Sequence, residues 1–150
     1  MAQTFALQGL LDIATAEADS AAASLGNLNR QVQLQEQQLT LLLQYRTDYQ
    51  ERLRRVIANG LDSAGLRNFN DFMGHLEQAI RQQRAAVNDA RGRAEHGRQH
   101  WQAKQRKAKA FDTLAQRAGA ALVRVEISRE QKLQDDFSSR AMRQKSYAQH

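Results

Sequence analysis

Apolar residues recur along the first third of the chain at alternating intervals of four and three residues. This spacing returns to the same face of an α-helix every seven residues and is typical of a coiled-coil seam. The series consists of Leu7, Leu11, Ala14, Ala18, Ala21, Leu25, Leu28, Val32, Gln35, Leu39, Leu42, Arg46, Tyr49, Leu53 and Val56. Its two polar members are Gln35 and Arg46. The pattern predicts one long helix over about residues 5–58.

A second series with the same spacing begins at Phe69. It consists of Phe69, Met73, Leu76, Ile80, Gln83, Val87, Ala90, Ala94, Gly97, Trp101, Lys104, Ala108, Phe111, Ala115, Ala118, Leu122 and Val125. Only Gln83, Gly97 and Lys104 depart from apolar character. The series predicts a second helix over about residues 64–145.

The stretch between the two seams carries turn signals. Asn59-Gly60 is typical of a helix C-cap, and Asp62, Ser63 or Asn68 suits the N-cap of the next helix. The chain has no Pro and only 8 Gly in 150 residues, so further turns are not expected. We predict an all-α fold over residues 1–150, a single long two-helix antiparallel coiled coil (a helical hairpin) that turns at about 59–64. The second helix is longer, and its last 25 or so residues overhang the first and stay solvated or fray.

One stretch of the first seam has more apolar surface than a single partner helix needs. Leu41, Leu43 and Tyr45 widen the apolar arc to roughly 200° at ~100° per residue. Equal spacing on the two helices predicts two adjacent stripes, and aromatic residues on an exposed edge favour protein binding. The stripes consist of Gln38, Leu42, Tyr45 and Tyr49 on the first helix and Phe72, Leu76, Ala79 and Gln83 on the second. A wider local core, or a third helix from another copy, remains an alternative.

The net charge of +6 belongs to one segment. Residues 91–110 contain seven of the 22 Lys and Arg residues and one of the 16 acids, Glu95, so the rest of the chain balances at 15 against 15. Such a segment suits an acidic protein partner, a phosphate backbone with Trp101 stacking on a base, a membrane surface, or simply a solvated face. The basic residues are Arg91, Arg93, Arg98, Lys104, Arg106, Lys107 and Lys109.

The sequence offers little for catalysis. Cysteine is absent, the glycines are scattered singly, and carboxylate pairs such as Glu126 with Glu130 or Asp135 with Asp136 lie on a polar helix without a pocket. His96 and His100 have the spacing of two zinc ligands but lack a third. We expect no catalytic residue, cofactor or metal. The N-terminus lacks a signal-peptide pattern, and no 18-residue apolar run occurs, so we expect a soluble, unexported protein without membrane insertion.

Several stretches carry a resemblance to a known family. YRTDY before the turn, NFNDF and LEQAI after it, and the segment around Trp101 occur in the order, spacing and total length of the bacterial flagellar export protein FliJ family. The resemblance covers nearly the whole chain.

The resemblance implies a role as a coiled-coil component of the type III export apparatus. The paired termini would be held in the export ATPase hexamer, and the edge near the turn would contact the cytoplasmic domain of the membrane export gate. The gate-binding stripe of the family corresponds here to Gln38, Leu42, Tyr45, Tyr49, Phe72, Leu76 and Ala79, and Gln83 continues it. The resemblance also implies an escort role for export chaperones and a location at the cytoplasmic face of the inner membrane, at the flagellar base.

Three functional hypotheses follow. The first is a non-enzymatic stalk that couples the ATPase to the gate and aids delivery of chaperones and substrates. The second is a nucleic-acid-binding coiled coil. We do not expect this function, and strongly salt-dependent binding to duplex DNA would indicate it. The third is a homo-oligomeric structural rod.

Overall fold

The computed structural model describes residues 2–149 and places them in two α-helices. Helix α1 covers Ala2–Ala58 and helix α2 covers Ser63–Ala148, and no strand occurs between residues 2 and 149. The helices pack against each other as an antiparallel hairpin, so the predicted fold class is confirmed.

Contacts divide the chain into two compact units, and each contains part of both helices. The turn unit is Ala18–Ala103, and the terminal unit combines Met1–Glu17 with Lys104–His150. The prediction of a single domain over residues 1–150 therefore stays a prediction.

Gly60 ends the first helix. Its φ is 89°, in the left-handed region that glycine adopts without steric cost, and its amide donates to the carbonyl of Ile57 at 3.2 Å. The amide of Asn59 donates to the carbonyl of Arg55 at 3.2 Å. Both bonds satisfy carbonyls that the end of the helix leaves without a partner.

Asp62 caps the second helix. Its Oδ1 accepts from the amide of Gly65 at 2.8 Å, and its carbonyl accepts from Leu66 at 3.0 Å. A side-chain oxygen bonded to the third amide of the helix is the usual N-cap arrangement. Of the three candidate caps in the sequence, the structure uses Asp62, and α2 begins at the next residue, Ser63.

The seam positions form the core of the turn unit. Ile80, Val87 and Ala90 are buried on α2, as are Ala18 and Ala21 on α1. The other seam positions between residues 18 and 103 are at least partly buried. The heptad pattern therefore identified the buried face of both helices.

The polar interruptions of the seams are matched by partners across the hairpin. Gln83 donates its amide to Gln35, and Arg46 Nη1 lies 3.4 Å from Glu77 Oε1. A half-buried polar group costs free energy unless it is hydrogen-bonded, so these partners make the interruptions tolerable.

In the terminal unit the two helices meet through small side chains and one ion pair. Ala14 and Ala108 are buried, and Lys104 Nζ lies 3.0 Å from Glu17 Oε2. The α2 residues 120–148 are all exposed, and Leu122 among them lines a shallow pocket together with Thr4, Phe5 and Gln8 of α1. The end of α2 is nevertheless helical to Ala148, beyond the predicted end near 145, because no Gly or Pro follows Gly119 and good helix formers predominate.

Candidate protein-docking surface

Aromatic rings from both helices meet near the turn. The ring centroids of Tyr49 and Phe72 are 4.1 Å apart with planes at 27°, and those of Tyr49 and Phe69 are 5.1 Å apart at 53°. Contacts of this kind contribute about 0.5–1.5 kcal/mol beyond the apolar area they bury. The stack places residue 49 level with residue 72 across the hairpin.

The predicted stripe residues differ in how much of each side chain reaches solvent. Tyr45 is 59% exposed and Phe72 is 44% exposed, whereas Leu76 is only 7% exposed. Gln38 is also exposed, and Leu42, Tyr49, Ala79 and Gln83 are partly buried. A partner would therefore meet mainly Tyr45, Phe72 and Gln38, while Leu76 supports them from the core.

The side-chain amide of Gln83 forms hydrogen bonds within the hairpin. Its amide nitrogen donates to the carbonyl oxygen of Gln35 at 2.9 Å and to the Gln35 side-chain oxygen at 2.7 Å. These bonds hold the amide between the helices, and any contact of Gln83 with a partner stays a prediction.

The two edges of the turn unit have different chemistry. At ~100° per residue, Tyr45 and Phe72 fall on one edge, which we call the docking flank. The two interhelical ion pairs, Arg46 with Glu77 at 3.4 Å and Arg91 with Glu36 at 2.7 Å, fall on the opposite edge, the ion-paired flank. Over residues 34–45 of α1 and 72–86 of α2, the hairpin thus presents one edge that is mainly apolar and one that is charged.

Two leucines on the docking flank extend the apolar surface. Leu34 is 58% exposed and Leu41 is 57% exposed. The width of the apolar arc had singled out Leu41, but Leu34 was not predicted as a surface feature. Its position seven residues before Leu41, on the same face of the helix, was the available signal.

The basic residues of the turn unit are partly neutralised. Arg91 pairs with Glu36, and Arg98 donates to Glu95 at 2.6 Å, while Arg93 is exposed. The Arg98 hydrogen bond is the main cause that lowers the pKa of Glu95 below its ordinary value of 4.5, and partial desolvation opposes it. The same hydrogen bond raises the pKa of Arg98.

Fewer of the basic residues in the terminal unit form ion pairs within the chain. Lys104 donates to Glu17, but Arg106, Lys107 and Lys109 are exposed, with no carboxylate oxygen within 4.0 Å among residues 2–149. Since three of the seven predicted cations form ion pairs within the chain, a role of the whole set in partner binding stays a prediction.

The remaining candidates show no assembled site. His96 and His100 are exposed, as are the carboxylate pairs Glu126 with Glu130 and Asp135 with Asp136. No group of three or more His, Asp or Glu residues in the described part of the chain is placed to hold a metal ion. Neither helix, over residues 2–149, has a stretch apolar enough to cross a membrane.

The fold defines a class of protein, a two-helix antiparallel coiled coil, and this one carries exposed aromatic side chains on one flank. A profile of the flagellar FliJ protein family matches residues 3–146. The flagellar FliJ protein of Salmonella typhi is 34% identical over 145 residues, which cover 97% of this chain and 99% of that protein. That of Escherichia coli K12 is 32% identical over 145 residues, with the same coverage. The chain belongs to the flagellar FliJ protein family, and the resemblance seen in the sequence is confirmed.

Proposed function

We propose that this protein is a non-enzymatic coiled-coil stalk of the flagellar type III export apparatus. In this proposal its docking flank binds the cytoplasmic domain of the membrane export gate, and its terminal unit binds the export ATPase hexamer. Membership of the flagellar FliJ protein family supports a role in flagellar export. The coupling of two partners is our own extension of that role.

One observation carries the gate-binding part of the proposal. Tyr49 and Phe72 stack across the hairpin, and the exposed rings of Phe72 and Tyr45 stand on the same flank. Aromatic side chains held in place by packing lose little conformational entropy on binding, and they are enriched among the residues that dominate protein interfaces.

The terminal unit supplies the second surface of the proposal. The end of α2 is helical and exposed from residue 120 to residue 148, so its side chains are available to an enclosing partner. ATP hydrolysis is assigned to that partner. The proposal also includes escort of export chaperones and a location at the cytoplasmic face of the inner membrane, at the flagellar base.

Binding of the purified full-length protein to the two partners tests the proposal. We expect the Tyr45→Ala/Phe72→Ala variant to lose affinity for the gate domain by at least about 10-fold, because two exposed aromatic anchors are removed. The same variant should keep wild-type affinity for the ATPase, since both substitutions lie in the turn unit. Unchanged helicity by circular dichroism excludes a folding defect as the cause.

Two outcomes would contradict the proposal. The first is failure of the wild-type protein to bind either partner at micromolar concentrations. The second is a Tyr45→Ala/Phe72→Ala variant that binds the gate domain as tightly as wild type, which would leave the docking flank without its assigned role.

A further inference from the structure

Three large apolar side chains form an exposed row on helix α1 of the turn unit. Leu34, Leu41 and Tyr45 are 58%, 57% and 59% exposed. Steps of seven and four residues keep them on one face of the helix over roughly 16 Å. Single exposed leucines need no explanation, but a row of apolar side chains beside an aromatic stack is typical of a protein-contact surface.

Small side chains lie across the groove from the two leucines. In the register that pairs Tyr49 with Phe72, Leu41 is level with residue 80 and Leu34 with residue 87, so Ala79 and Ala86 each lie one residue nearer the turn. Both alanines are partly buried. The offset of one residue is about 1.5 Å along the helix, so a small side chain lies near the level of each leucine at two successive heptads. This arrangement predicts a shallow apolar groove that continues from the aromatic rings and away from the turn.

Between Leu34 and Tyr45 the α1 side of this groove carries no formal charge, and Asp48 lies beyond Tyr45 toward the turn. The charged residues between positions 31 and 47 are Glu36 and Arg46, and both are bonded across the hairpin on the ion-paired flank. The uncharged neighbours of the row are glutamines, Gln37 and Gln38 among them.

On the α2 side of the groove, the formally charged residues also lie away from the row. The ionisable residues of α2 between Phe72 and Ala86 are Glu77, Arg81, Arg84 and His75. At ~100° per residue the acid and the two arginines fall toward the ion-paired flank, and His75 falls on the docking flank. Desolvating a charge without a counter-charge is costly, so this groove disfavours phosphates and ionised side chains and favours an uncharged apolar segment of a protein.

We infer that the contact surface for the export gate extends through Leu34 and Leu41, and that the gate domain contributes an uncharged apolar segment that fills the groove beside Ala79 and Ala86. The inference rests on the proposed function, because it assigns these leucines to the partner of Tyr45 and Phe72. It adds Leu34 and Leu41 to the proposed contact residues and specifies an uncharged apolar surface on the partner.

The test compares three full-length variants in binding to the purified cytoplasmic domain of the gate. Leu34→Gln/Leu41→Gln removes the row with a residue that favours helix and adds no charge. Ile57→Gln is the matched control, because Ile57 is 53% exposed on the same helix but outside the row. Tyr45→Ala/Phe72→Ala reports on the proposed function itself.

We expect the double leucine variant to bind the gate domain at least about 10-fold more weakly than wild type, and Ile57→Gln to change affinity by less than about 2-fold. Raising the salt concentration should leave the wild-type affinity nearly unchanged, as an uncharged groove requires.

Each contrary outcome points to a different failure. If Tyr45→Ala/Phe72→Ala loses binding while the double leucine variant keeps it, the inference is overturned and the proposed function stands. If neither variant changes the affinity, both the inference and the gate-binding role of the flank fall. If wild type sediments as a dimer that the leucine substitutions convert to monomer, a second copy fills the groove and the inference is again overturned.

Discussion

The side-chain amide of Gln83 donates to two oxygens of Gln35, the backbone carbonyl at 2.9 Å and the side-chain oxygen at 2.7 Å. Each of these glutamines interrupts the apolar seam of its own helix, and the two interruptions meet. A slip of the helices by one heptad would separate them and leave polar groups against apolar ones. The pair therefore favours one register of the hairpin at some cost in stability.

The first prediction concerns this pair. Gln83→Ala removes both donors and leaves the half-buried oxygens of Gln35 without them, so the free energy of unfolding should fall by about 1 kcal/mol. Urea unfolding followed by circular dichroism measures the change. Gln82→Ala is the matched control, since Gln82 is exposed, and its effect should stay within about 0.5 kcal/mol. If Gln83→Ala and Gln82→Ala lower the free energy of unfolding equally, the hydrogen bonds of Gln83 make no specific contribution to stability.

The sequence alone predicted the helices and the turn because their signals are local. Heptad spacing marks the buried face, and Asn59-Gly60 marks a helix end without reference to the partner helix. It did not predict the partners of Gln35 and Arg46, since these depend on the register between residues far apart in the chain. Leu34 was missed for a related reason: exposure is decided by where the second helix lies.

The second prediction compares two glycines. Gly60 has a φ of 89°, so Gly60→Ala should lower the free energy of unfolding by about 1 kcal/mol or more. Gly74 lies within α2, and a Cβ there meets nothing within 4 Å. Gly74→Ala should raise stability by about 0.5–1 kcal/mol, because alanine favours the helix. Urea midpoints that shift in the same direction for both variants would contradict the assigned role of Gly60.

The third prediction concerns the ion-paired flank. The side chains of Arg46 and Glu77 are 30% and 39% exposed and lie 3.4 Å apart, so solvent screens their attraction. A double-mutant cycle with Arg46→Gln and Glu77→Gln should give a coupling energy of about 0.5 kcal/mol that decreases in 1 M salt. Gate affinity should be unchanged in all three variants, because neither residue lies on the docking flank. A variant that loses gate binding while it stays folded would mean that the partner covers both edges.

The fourth prediction concerns pH. The hydrogen bond from Arg98 lowers the pKa of Glu95 from its ordinary value of 4.5. A carboxylate whose pKa is lower in the folded protein contributes stability at pH values above its unfolded pKa. That contribution is lost as the pH falls through the folded pKa.

Arg98→Gln should therefore return the pKa of Glu95 toward 4.5, which NMR titration of the Glu95 side-chain carboxyl carbon measures directly. Arg93→Gln is the control, since Arg93 does not contribute to that shift, and it should leave the Glu95 titration where it is in wild type. A pKa for Glu95 that is the same in wild type and Arg98→Gln would show that the pair does not persist in solution, and the acid-dependent part of stability would then have to come from other carboxylates.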